Sequence, residues 1–96
     1  MPTQKQKSIL PTILVMFGAT GDLARTKLVP ALFHLYTKKQ LPRLFQVVGF
    51  SRRDMSNEEY QKLVTQMLKK KVKTSPAKAK AFSKLFVYQQ GKFKQK

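Results

Sequence analysis

The sequence predicts an α/β fold built on a parallel sheet, because three strand candidates alternate with segments of helical periodicity. The strand candidates span residues 12–17, 45–51 and 85–88. Helical segments fill both intervals, and such crossovers between parallel strands are right-handed in nearly all sheets. The order β-α-β-α-(α)-β amounts to the first half of a Rossmann-type, doubly wound sheet, and to that half only.

The first strand candidate is a continuous apolar run with β-branched residues, the pattern of a strand buried on both faces of a parallel sheet. The segment from Asp22 to about Lys39 then repeats apolar residues at helical spacing. Pro30 lies inside this helix, where it removes one backbone N–H and crowds the carbonyl of Thr26, so we expect a kink. A loop at residues 40–43 precedes the second strand candidate.

The second helix has a clear start. Ser56 is the predicted N-cap, and Glu59, three residues later, is its partner in a capping box. Apolar residues continue at helical spacing to Val72, and residues 74–76 interrupt the pattern. Pro76 suits the first turn of a further short helix, which we expect to reach Lys84.

Length and composition limit the class of protein. Ninety-six residues make at most one small domain, and the absence of cysteine excludes a disulfide framework or a thiolate metal site. Residues 1–11 form a polar lead-in without the features of a signal peptide. The longest apolar run is too short to cross a membrane, so a cytoplasmic protein without a membrane partner is expected.

The charge is strongly positive, with 20 lysines and arginines against 4 acids and a net charge of +16. The segment from Tyr60 to Lys96 contains 11 lysines, no arginine and no acid. We interpret these lysines as a solvated surface. A small basic protein that binds nucleic acid through its phosphates is an alternative. The absence of arginine disfavours specific reading of bases, so nucleic acid is not the expected partner.

The motif that carries chemistry is G-x-x-G-x-x-A, with Gly18, Gly21 and Ala24 between the first strand and the first helix. In this setting Gly18 permits a tight exit from the strand, and Gly21 lets a diphosphate approach the helix. Ala24 allows close packing of helix on strand, and the helix N-terminus attracts phosphate. The motif predicts a bound dinucleotide, and a tight turn without a ligand is the structural alternative.

Two further positions refine this prediction. The carboxylate of Asp22 would repel the phosphates, so we interpret it as a cap or loop-ordering residue rather than an acid catalyst. Arg52 and Arg53 follow the second strand, where an arginine accommodates the 2′-phosphate of NADP and an acid would select NAD. The nearest acid, Asp54, lies beyond the strand tip.

His34, the only histidine, is expected to pack or to face solvent.

The run F-G-A-T-G-D-L-A at residues 17–24, followed by K-L-V-P-A-L at residues 27–32, closely resembles the N-terminus of the glucose-6-phosphate dehydrogenase family. Residues 47–53 and 86–93 are similar to the family's second and third strands and their exits. The combination D-L-A-x-x-K-x-x-P is much more specific than the glycines alone. It disfavours another NAD(P)-binding reductase or epimerase of Rossmann type.

The resemblance implies a cofactor, a reaction and a set of contacts. Family members oxidise glucose 6-phosphate at C1, pass a hydride to NADP and form 6-phosphogluconolactone, the entry step of the oxidative pentose phosphate pathway. Arg52 would meet the 2′-phosphate of NADP, and Lys27 matches a family lysine near the helix start. The residues that would line the diphosphate are Gly18, Ala19, Thr20, Gly21, Asp22, Leu23, Ala24 and Arg25.

The chain also departs from the family pattern. The catalytic histidine, the substrate block R-I-D-H-Y-L-G-K and the large β+α domain do not occur in the 96 residues, and Lys92 replaces the usual acid after the third-strand glycine. We therefore expect residues 12–96 to be a partial dinucleotide-binding domain of a truncated chain, without catalytic or metal-binding residues. Glucose 6-phosphate and a homo-oligomeric state are expected only of the full-length protein. In isolation the half-sheet is expected to be partly disordered or to aggregate.

Overall fold

The computed structural model describes residues 11–91. Its strands are β1 (Thr12–Phe17), β2 (Phe45–Ser51) and β3 (Phe86–Gln90). Its α-helices are α1 (Val29–Thr37), α2 (Asn57–Lys71) and α3 (Pro76–Ser83), and a π-helical segment, Ala24–Leu28, precedes α1. The predicted order of elements is confirmed. The expectations for Lys92 and for the lead-in before Pro11 concern residues outside the described range.

The three strands form one parallel sheet in the order β1-β2-β3. Thr12 pairs with Phe45 and Phe17 with Phe50, while Val47 also pairs with Phe86 on the other side of β2. The register places the carboxyl ends of β1 and β2 side by side. The turns that leave these two strands therefore meet at one edge of the sheet, where nucleotides bind in open α/β sheets.

The helix after β1 accommodates Pro30 through its π-helical segment. The N–H of Val29 donates to the carbonyl of Ala24, five residues earlier. This shift in register places Pro30 in the first turn of α1, where a missing N–H leaves no gap in the hydrogen bonding. The hydroxyl of Thr26 donates to the carbonyl of Asp22 at 2.7 Å. Pro30 is thus accommodated by a π-helical turn, and the kink stays a prediction.

The starts of the other two helices agree with the sequence. Ser56 Oγ accepts from the N–H of Glu59 at 3.1 Å, and Glu59 Oε1 accepts from the N–H of Ser56 at 2.8 Å, which completes the capping box. Ser75 caps α3 in the same way by accepting from the N–H of Lys78. The third strand begins one residue later than predicted and extends to Gln90.

The core lies between one face of the sheet and the helices. Phe82 contacts Phe33 and Phe86 edge to face, both with ring centroids 5.1 Å apart, and Tyr60 lies 6.0 Å from Phe86. The fully buried large side chains are Tyr60, Phe82, Phe86, Leu68, Val29, Val47 and Val64. Both crossovers run in the same direction along the sheet, so right-handed connections place every described helix on this one face.

One expectation about β1 is wrong for the described residues. It was predicted to be buried on both faces, yet Ile13, Val15 and Phe17 are 56%, 47% and 70% exposed. These side chains alternate onto the face opposite the core, and no element within residues 11–91 covers that face. β1 is also one of the two edge strands of this sheet. The apolar sequence of β1 indicates a strand that is covered on both faces, and residues 11–91 cover only one of them.

Candidate cofactor-binding cleft

The turn after β1 is held tightly against β2. Gly18 has φ of +65°, a left-handed conformation that glycine adopts without strain. The N–H of Ala19 donates to the carbonyl of Phe50 at 3.0 Å, and the N–H of Gly21 donates to the carbonyl of Gly18 at 2.9 Å. Ala19 is fully buried. The glycine motif therefore forms a compact turn at the carboxyl edge of the sheet.

The first N–H groups of the helix after β1 have no acceptor within that helix. Its first helical hydrogen bond runs from the N–H of Arg25 to the carbonyl of Gly21, at 3.0 Å. The N–H groups of Asp22, Leu23 and Ala24 precede that bond, so the helix offers them no acceptor. Unpaired N–H groups and the positive end of the helix dipole favour an anion at this position.

A cleft of about 370 Å³ opens between this turn and the end of β2. Its wall includes Gly18 and Thr20 on one side and Arg52 and Arg53 on the other. The rings of Phe17 and Phe50 stack beside it with centroids 5.4 Å apart. The cleft thus joins two regions that are about thirty residues apart in sequence: a glycine turn and a pair of arginines.

Some predicted residues lie in the cleft wall and others do not. Gly18, Thr20 and Arg52 line it. Ala24 is buried in the core, whereas Leu23 is exposed. Asp22 accepts from the guanidinium of Arg25 in an exposed ion pair, and its role in ordering the loop stays a prediction. The motif residues outside the wall therefore offer backbone groups or support the turn.

Several contributors to the cleft were not predicted. Phe17 and Phe50 add aromatic surface, beside Arg53, which the sequence had already indicated together with Arg52. Gly49 supports it from below, because a Cβ there would lie 2.3 Å from Tyr60 Oη and 2.8 Å from Ala19 Cβ. The glycine inside a strand was the available sequence signal for such a close approach.

Tyr60 is the one buried polar side chain beneath the turn whose hydroxyl lacks a hydrogen-bond partner within the described part of the chain. Burial raises the pKa of Tyr60 to about 12, and the neighbouring Tyr88 hydroxyl adds to the increase. The phenol is therefore neutral at physiological pH. It packs against Gly49 and Ala19 without supplying charge to the cleft.

The described residues offer little for other chemistry. Within residues 11–91, no group of three or more histidine, cysteine, aspartate or glutamate side chains could hold a metal ion. His34 is exposed on α1, in agreement with a surface role. None of the helices in this range has the length and apolar character needed to cross a membrane.

A parallel half-sheet with a glycine turn and a helix start at its carboxyl edge defines a nucleotide-binding domain of the Rossmann type. Comparison with known families narrows this class. Residues 15–96 match the family model described as glucose-6-phosphate dehydrogenase, NAD binding domain, and the chain belongs to that family. The predicted family and fold class are confirmed, and the matched domain is one that binds a nicotinamide dinucleotide.

Curated relatives show the same relationship. The chain is 38% identical over 84 residues to a glucose-6-phosphate 1-dehydrogenase of Emericella nidulans, which covers 88% of this chain and 16% of the relative. It is 38% identical over 81 residues to the enzyme of Leuconostoc mesenteroides, with 84% and 16% covered. The chain therefore spans about one sixth of the length of these relatives.

Solved structures agree at the level of the fold. A glucose-6-phosphate dehydrogenase in complex with its substrate glucose-6-phosphate matches with a TM-score of 0.72 and 30% identity, over 91% of this chain and 18% of that one. The glucose-6-phosphate 1-dehydrogenase of Mycobacterium avium matches with a TM-score of 0.75 and 24% identity, over 88% and 18%. The latter likeness concerns the fold alone.

Proposed function

We propose that this chain is the N-terminal coenzyme-binding part of a glucose-6-phosphate dehydrogenase and that its cofactor is NADP. The observation that carries the choice of cofactor is the pair Arg52 and Arg53 across the cleft from the glycine turn. A guanidinium forms charge-assisted hydrogen bonds with phosphate, which favours a 2′-phosphate over a ribose hydroxyl. The full-length protein is proposed to be a cytoplasmic homo-oligomer.

The proposed roles follow from the geometry. The N–H groups of Asp22, Leu23 and Ala24 receive the diphosphate, and Thr20 adds its hydroxyl at the wall of the cleft. Arg52 binds the 2′-phosphate. When bound, NADP would supply the acceptor for the hydride that leaves C1 of glucose 6-phosphate as the lactone forms. The 96-residue chain alone is proposed to be inactive, with sugar binding and proton removal assigned to regions of the relatives to which it does not align.

Cofactor binding by the 96-residue chain tests this proposal. We expect Arg52→Glu to weaken NADP binding about 10- to 100-fold, the range for hydrogen bonds to a charged group, with little change for NAD. Isothermal titration calorimetry measures both affinities. Arg43→Glu is the matched control, because it makes the same charge change at the exposed amino-terminal end of β2. Equal effects of the two variants on NADP would contradict the assignment of Arg52.

A second candidate function rests on a groove between α2 and α3. It has a volume of about 600 Å³ and is lined by four lysines, with Glu58 as its only acidic wall residue. The lysines are Lys62, Lys69, Lys80 and Lys84. Within residues 11–91 none of them forms a salt bridge. Unpaired like charges in one groove favour a polyanion such as duplex nucleic acid.

Duplex binding distinguishes this second function from the first. Four phosphate contacts predict that log K falls with log salt at a slope of about −3.6. Changing the four groove lysines to glutamine should abolish this binding and leave NADP affinity unchanged. The control changes Lys27, Lys38, Lys39 and Arg43 to glutamine, which removes the same charge elsewhere. A similar loss in both variants would indicate net charge rather than the groove.

A further inference from the structure

The turn that carries the two arginines is attached to β3 along its length. The carbonyl of Ser51 accepts from the N–H of Gly91 at 2.8 Å. The carbonyl of Arg52 accepts from Gln90 Nε2 at 2.9 Å. The carbonyl of Arg53 accepts from the hydroxyl of Tyr88 at 2.5 Å. Three consecutive carbonyls at the end of β2 therefore all accept hydrogen bonds from residues at the end of β3.

The hydroxyl of Tyr88 also closes a ring of hydrogen bonds. The N–H of Arg53 donates to Ser51 Oγ at 3.2 Å, and Ser51 Oγ lies 2.5 Å from Tyr88 Oη. A carbonyl only accepts, so Tyr88 donates to the carbonyl of Arg53, and Ser51 Oγ donates to Tyr88. The carbonyl of Ser51 lies farther from the Tyr88 hydroxyl, at 3.1 Å, and is its second acceptor. The ring begins and ends on the backbone of Arg53.

Tyr88 is itself held in place. Its N–H donates to Asn57 Oδ1 at 2.7 Å, at the first residue of α2. Its ring lies 5.2 Å from the ring of Tyr60, which is fully buried. The hydroxyl is therefore supported from the core and from α2. The side chains of Arg52 and Arg53 remain exposed at the cleft, while the backbone beneath them is fixed.

We propose that Ser51, Tyr88 and Gln90 are positioning residues that set the preference for the 2′-phosphate. They contact the backbone of the arginine turn, so their effect reaches the cofactor through Arg52. A turn that is ordered before binding loses less conformational entropy when the phosphate arrives. NAD lacks that phosphate and gains little from the ordered turn. This inference rests on the proposed function, because it presumes that Arg52 binds the 2′-phosphate.

Tyr88→Phe removes one oxygen and leaves the ring that packs on Tyr60. We expect NADP affinity to fall about fivefold, the ordinary effect of one hydrogen bond, and NAD affinity to change less than about twofold. Ser51→Ala removes a different hydroxyl from the ring of hydrogen bonds. It should also lower the ratio of NADP affinity to NAD affinity. Tyr36→Phe is the matched control on α1 and should leave the ratio unchanged. Calorimetric titration of the 96-residue chain measures each affinity.

A double-mutant cycle separates positioning from general stability. With Arg52→Gln already present, adding Tyr88→Phe should leave the NADP-to-NAD ratio unaltered, because the group being positioned is gone. Equal losses of NADP and NAD binding in Tyr88→Phe, or a ratio unchanged in both ring variants, would overturn the inference. If Arg52→Gln lowers the ratio and neither ring variant does, the proposed function stands and the positioning role fails. If the wild-type chain shows no preference for NADP over NAD, the proposed cofactor and the positioning role are both refuted.

Discussion

β1 and β2 have similar apolar sequences and opposite surroundings. Val47 in β2 is fully buried between two neighbouring strands and beneath the helices, whereas Val15 in β1 is 47% exposed at an uncovered edge. An apolar groove of about 340 Å³ also runs between β1 and α1. The difference shows that strand composition indicates a requirement for burial. The neighbouring elements decide whether that requirement is met.

The largest expected effect comes from placing a charge in each strand. Val47→Asp buries an unpaired carboxylate and should cost about 4 kcal/mol or more, enough to unfold so small a domain. Val15→Asp should change the free energy of unfolding by less than about 0.5 kcal/mol and reduce self-association, because its side chain faces solvent within residues 11–91. Urea unfolding by circular dichroism and sedimentation test the pair. Equal destabilisation would show that β1 is covered in solution.

Two glycines at the cleft allow a similar comparison between a crowded position, Gly49, and an open one, Gly18. Gly49→Ala places a Cβ 2.3 Å from Tyr60 Oη, and we expect it to cost about 1–3 kcal/mol through overpacking. A Cβ at Gly18 meets nothing within 4 Å, so Gly18→Ala should cost only the left-handed conformation, about 1–2 kcal/mol. Chemical denaturation of both variants gives the comparison. A smaller cost at Gly49 than at Gly18 would mean that Tyr60 moves aside readily.

The smallest effect should be a gain in stability. Tyr60→Phe removes a buried hydroxyl that has no partner in residues 11–91 and should stabilise the fold by about 1 kcal/mol. The effect should depend on pH. Because burial raises the pKa of Tyr60 to about 12 from an ordinary value of 10.0, the unfolded chain releases this proton first. The wild type should therefore lose stability between pH 10 and 12.

Comparing the two proteins across that alkaline range isolates the contribution of Tyr60, because every other residue is the same in both. The advantage of Tyr60→Phe in free energy of unfolding should grow from pH 10 to pH 12, as measured by thermal melting in matched buffers. A constant difference across this range would argue against the raised pKa.

Much of the fold could be predicted from local chemistry. The capping pair Ser56 and Glu59 and the strand at residues 45–51 agree with the structure, because hydrogen-bonding side chains and apolar runs act over short distances. Pro30 was recognised as a disturbance because a proline in a helix interior lacks the N–H for one hydrogen bond. Its form, a π-helical turn at Ala24–Leu28, depends on how the helix packs on the sheet.

The cleft was predicted less completely. The glycine turn and Arg52 were recognisable because their residue types follow from phosphate chemistry. The Phe17–Phe50 pair and the support from Tyr88 were not, since they depend on contacts between strands far apart in sequence. Nothing in the local spacing of Tyr88 and Ser51 indicates that their hydroxyls meet.

By itself the sequence determined the family, the order of strands and helices and the presence of a glycine turn between β1 and its helix, because these depend on residue types at short spacing. The tertiary structure decided which face of the sheet is covered and which residues support the arginine turn. Both depend on right-handed crossovers and on parallel register, which bring distant segments together. Apolar residues of one sheet are therefore core on the covered face, as at Met16 and Val47, and surface on the other, as at Val15.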